Sequence, residues 1–138
     1  MNISRNNFRL IAITSLLLVF VAIAIEFFSL SNLPPELESY VQKEDSNNFE
    51  TSVLFIPIII FAFMALIGNI GLIFFAKWSP AVFTIGVIVT ALGTLTYGPS
   101  VQTALQTTFY EIDTMFTGFI IALLYFSNVR TYFKNENT

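Results

Sequence analysis

Val53 to Ala76, VLFIPIIIFAFMALIGNIGLIFFA, is twenty-four residues long and carries no charge. At 1.5 Å of rise per residue, a helix of that length extends about 36 Å. A bilayer's hydrocarbon core is about 30 Å thick. A helix apolar on every side has no use in a soluble domain of this size, so the run reads as a transmembrane helix. Composition agrees, since only 11% of the chain is charged against about 25% in soluble domains.

Three more apolar runs follow the same logic. Phe8 to Leu30 carries Arg9 at its start and is otherwise interrupted only by Glu26, and Ala81 to Tyr97 is shorter and rich in Gly and Thr. Phe109 to Val129 carries Glu111 and Asp113 only at its start. The sequence therefore predicts an all-α membrane protein, a four-transmembrane-helix bundle with helices at about 8–30, 53–76, 80–97 and 108–129, forming one integral membrane domain over 1–138. A cleaved signal peptide is the rival reading of the first run, with Arg5 and Arg9 as its basic region and Ser29 and Ser31 near the cut. The apolar core ahead of Glu26 is long for that role, and Glu-Phe-Phe sits awkwardly before such a cut.

The connections have distinct characters. Pro34-Pro35 stops the first helix, since proline lacks the amide proton and clashes with the preceding turn. The acidic loop 31–52 carries Glu36, Glu38, Glu44, Asp45 and Glu50 against a single Lys43. It reads as a solvated loop with a short surface helix, or as a recognition surface for a cationic partner. Lys77-Trp78-Ser79 makes a tight turn, with Pro80 in the first turn of the next helix. Val101 to Thr108 reads as a neutral connection, and Arg130 onward as a polar tail.

Charge sets orientation. Arg5, Arg9, Lys77, Arg130 and Lys134 fall on one side of a four-span arrangement, five of the six basic residues. Basic residues near span ends stay in the cytoplasm. The expectation is a multi-pass protein of the bacterial inner membrane with both termini cytoplasmic, and Trp78, Tyr97 and Tyr110 in the interfacial belts.

Helices already in lipid associate where small residues let backbones approach. Such stripes occur at Ala65, Gly68 and Leu72 with Gly71 alongside, at Gly86, Thr90 and Gly93, at Thr114, Gly118 and Ala122, and at Ser15, Val19, Ala22 and Glu26. Each reads as internal packing or as a dimer contact, with packing of Gly68, Gly86, Gly93, Gly118 and Ala122 expected inside the bundle. Asn69 is the intramembrane polar residue expected to bond another helix. Pro57 marks the start of its helix or a mild kink.

With no Cys and no His, thiolate chemistry, Cys- or His-built zinc sites and histidine acid–base catalysis are excluded. No catalytic, cofactor or metal residue is assigned, and no cofactor is expected. Glu26, Glu111 and Asp113 form the candidate outer acidic site, because carboxylates at membrane depth suit a cation, a proton or a partner contact. The bland alternative is that Glu111 and Asp113 complement a helix N-terminus and that Glu26 reaches the headgroups. The expected function is non-enzymatic and works through partners, as an accessory subunit, sensor or immunity-type protein. A small transporter or channel with a carboxylate cation or proton site is the alternative. Membrane lipids and a protein partner or second copy are the expected partners. Nucleic acid is not, since the few basic residues adjoin the membrane.

Overall fold

The computed structural model describes residues 2–30, 52–95 and 103–134. The acidic loop, its surface helix, Tyr97 and the first two residues of the Val101–Thr108 connection lie outside the described residues. Those described form helices without a strand: α1 (Arg5–Leu30), α2 (Ser52–Ile73), α3 (Ser79–Thr94), α4 (Ala104–Phe126) and a 3-10 helix, η1 (Asn128–Phe133). By length and composition three are apolar and long enough to cross a membrane, over Arg5–Ile25, Ile56–Ile73 and Ala104–Phe126. The 16 residues of α3 rise only about 24 Å, short of a full hydrocarbon core.

The molecule is assembled as two pairs. α2 packs along α3 as a helical hairpin, and α1 packs along α4 and η1. Contact between α1 and α2 joins the pairs, while α3 and α4 barely meet. The start of α1, the α2–α3 turn and the end of α4 gather at one end, called here the aromatic end. The helices therefore alternate in direction.

Small residues set the hairpin. A Cβ placed on Gly68 would sit 2.6 Å from the Phe83 backbone, and one on Gly86 would sit 2.5 Å from the Ala65 nitrogen. Gly71 faces Ser79 and Trp78, and Gly93 faces the Ile58 side chain. The same antiparallel register thus holds from the turn to the far end of the pair. Pro57 lies inside α2, which continues through it. The α2 end departs from the expected boundary at Ala76. Phe75 takes the left-handed conformation with φ 56°, its amide donates to the Leu72 carbonyl (3.2 Å), and the Ala76 amide reaches back to Gly71 (2.9 Å). This is a Schellman ending with phenylalanine where glycine is usual.

Two further boundaries correct the sequence reading. α4 starts at Ala104, not Thr108, because Thr103 and Gln106 form a reciprocal capping box (Gln106 N–H to Thr103 Oγ1 3.3 Å, Thr103 N–H to Gln106 Oε1 2.7 Å). The supposed polar tail folds as η1, burying Val129 and Phe133. Ser127 starts it, donating to the Leu123 carbonyl (2.6 Å) and accepting from the Val129 amide (3.1 Å).

Candidate functional site

At the aromatic end the segment before α1 is clasped to η1. Asn128 Oδ1 accepts from the Ile3 amide (2.8 Å), and its Nδ2 donates to the Ile3 carbonyl (3.0 Å) and to Tyr132 (3.0 Å). The Tyr132 hydroxyl donates to the same Ile3 carbonyl (2.8 Å). One amide thereby satisfies the backbone of a residue 125 positions away. Beneath this clasp Phe8, Phe75, Tyr132 and Phe133 pack ring on ring, with centroids 5.5–6.0 Å apart. Such pairs favour tilted and edge-on geometry because ring faces are negative and edges positive.

Arg5 and Arg9, one turn apart on α1, both lie over Phe75, their guanidinium carbons 4.5 and 5.5 Å from the ring centre. Arg9 Nε also donates to the Ile73 carbonyl (3.1 Å), capping an orphan acceptor at the end of α2. Beside the stack a cleft of about 480 Å³ opens between the α2–α3 turn and η1. Arg5, Lys77 and Lys134 supply its cationic lining, and Phe75 and Phe133 its apolar wall. Ile3, Asn128, Tyr132 and Phe133 were not assigned from sequence. The available signal was the aromatic pair Tyr132-Phe133 beside Arg130, inside a segment that otherwise reads as polar.

The expected acidic site divides. Glu111 is exposed while Asp113 is half-buried, as follows for residues about 200° apart around a helix. Asp113 Oδ1 is buried without a hydrogen-bond partner. Glu26 lies on α1 toward the same end of the α1–α4 pair, but its side chain is outside the described atoms. Among the described residues no group of three or more His, Cys, Asp or Glu could hold a metal ion.

Asn69 is 3% exposed, and its Nδ2 donates to Ser15 Oγ at 3.2 Å. That bond ties α2 to α1 in an apolar interior. The Asn69 Oδ1 has no partner, nor does the buried Thr90 Oγ1.

The stripe on α4 requires a correction. Thr114, Gly118 and Ala122 are all exposed, and nothing stands within 4 Å of a Cβ placed on Gly118. α4 instead turns Ile120, Leu123 and Leu124 inward, because branched side chains fill the space against α1 better than a glycine row does. With Thr107 and Glu111, also exposed, the row runs along one side of α4 at three- and four-residue steps.

The arrangement defines a helical protein with three candidate membrane-crossing helices, a clasped aromatic end and an uncovered α4 row. Comparison with protein-family models, with curated proteins and with solved structures finds no match.

Proposed function

We propose that this chain is a non-enzymatic multi-pass membrane protein that acts by binding another transmembrane helix along α4, as an accessory subunit or sensor does. The reading includes four crossings of a bacterial inner membrane, with the aromatic end and both termini in the cytoplasm. Five of the six basic residues belong to the segments that meet at that end, as the positive-inside rule favours.

The exposed row Thr107, Glu111, Thr114, Gly118 and Ala122 carries the reading. The Thr107 and Thr114 hydroxyls bond the carbonyls of Thr103 (3.2 Å) and Tyr110 (2.8 Å) in their own helix, but a carboxylate facing lipid tails is unfavourable, and a second helix can approach Gly118 closely. Internal helix contacts already use Gly68, Gly71, Gly86 and Gly93. Gly118 is the described glycine left for an outside helix.

Gly118→Leu tests it. The variant is expected to match wild type in folded yield and thermal midpoint, while losing a co-purifying membrane partner or the dimer in mild detergent. A wild-type protein that is monomeric and partner-free after cross-linking in intact membranes would sink the proposal, as would association unchanged in the variant.

A further inference from the structure

We propose that the cleft between the α2–α3 turn and η1 binds the phosphate of an anionic phospholipid headgroup. Its three cations come from three separated parts of the chain: Arg5 from α1, Lys77 from the turn and Lys134 from beyond η1. The fold gathers them without an internal counter-charge among the described residues. Asp113, the described carboxylate nearer this end on α4, lies thirteen residues before Phe126, or about 20 Å along the helix. Three like charges lining one cleft repel one another, and an anion between them removes that repulsion.

The walls are held before any ligand arrives. Arg5 rests on the Phe75 ring at 4.5 Å, a contact that fixes the guanidinium while leaving its N–H groups and its charge available. Tyr132 is fixed through its hydroxyl to Ile3 and Asn128, and Thr131 Oγ1 to the Asn128 carbonyl (2.7 Å). The volume, about 480 Å³, lies within the range of small-ligand clefts.

Position favours a lipid over a soluble anion. The cleft sits where the apolar helices end, the level at which basic pockets between helices hold lipid headgroups. Next to Phe75 in the chain, Phe74 is 74% exposed, and Trp78, flanking Lys77, is 50% exposed. These rings offer acyl chains an apolar margin beside the charged opening.

The test uses the full chain in a neutral detergent. Short-chain phosphatidylglycerol, short-chain phosphatidylcholine and inorganic phosphate are added separately, and the thermal midpoint and lipid retained in native mass spectrometry are read. Phosphatidylglycerol is expected to raise the midpoint and remain bound, with the other two doing neither. Lys77→Gln and Lys134→Gln, both at exposed positions, should keep the lipid-free midpoint and each weaken phosphatidylglycerol binding about fivefold. Arg130→Gln, exposed on η1 but outside the cleft lining, should bind as wild type does. Equal weakening by Arg130→Gln and Lys77→Gln would mean a diffuse surface potential and overturn the site. Phosphate as effective as phosphatidylglycerol would overturn the lipid assignment.

Discussion

Phe75 occupies a backbone conformation that costs a non-glycine residue about 1–2 kcal/mol, yet nearly everything at the aromatic end leans on its ring. Phe8, Tyr132 and Phe133 pack on it, and Arg5 and Arg9 lie over it. Burying a phenylalanine in a packed cluster stabilises by about 3–5 kcal/mol relative to alanine, more than the strain. Phe75→Gly removes strain and ring together and should therefore lower the thermal midpoint, whereas Phe74→Ala, at an exposed ring, should leave it nearly unchanged. A midpoint raised by Phe75→Gly would show that the strain dominates. Sequence could not place this helix end. Phe74-Phe75-Ala76 continues the apolar run without glycine or asparagine, and the turn is imposed by residues from α1 and η1. Asn69 was legible as a polar contact between helices, but its partner Ser15, 54 positions away, was not.

Two elements with the same small-residue pattern meet different fates. Gly68 and Gly86 are pressed against the backbone of the opposite helix, while Gly118 faces outward with free space above it. A stripe records that a backbone can be approached, and the bulky residues on the other faces decide which neighbour arrives. In α4 those residues are Ile120, Leu123 and Leu124, all buried. Gly68→Ala should push α2 and α3 apart, since its new methyl would fall 2.6 Å from Phe83 backbone atoms. The expected outcome is a reduced folded yield and a lower midpoint, and Gly118→Ala in the same assay should behave as wild type. The start of α4 was readable in principle. Thr103-Ala104-Leu105-Gln106 spells a capping box, but the polar residues after it suggested a connection. The threonines there turn their hydroxyls onto the helix backbone instead, Thr107 to the Thr103 carbonyl (3.2 Å) and Thr108 to Ala104 (2.8 Å).

For the molecule as a whole, the all-helical class and three of the apolar spans were plain from hydropathy. What hydropathy does not encode is pairing, because lipid and a neighbouring helix are equally apolar surroundings. The alternating directions bring the leader, the turn and the C-terminal segment to one end, joined by Asn128 and by Arg9 on Ile73. The proposed four crossings predict that reporter fusions at Thr138 and beside Lys43 report opposite sides of the membrane, with Thr138 cytoplasmic. Matching signals would mean that α3, with its 16 residues, does not cross.

The clasp between Ile3 and Asn128 also sets an order on manufacture. At synthesis rates of about 5–20 residues per second, the 125 positions between them take about 6–25 s to emerge from the ribosome. The α2–α3 hairpin can close while that is happening. Until Asn128 follows, the first helix made has only α2 to pack on, through Asn69 on Ser15 and Arg9 on Ile73, and the face that α4 and η1 cover stays open.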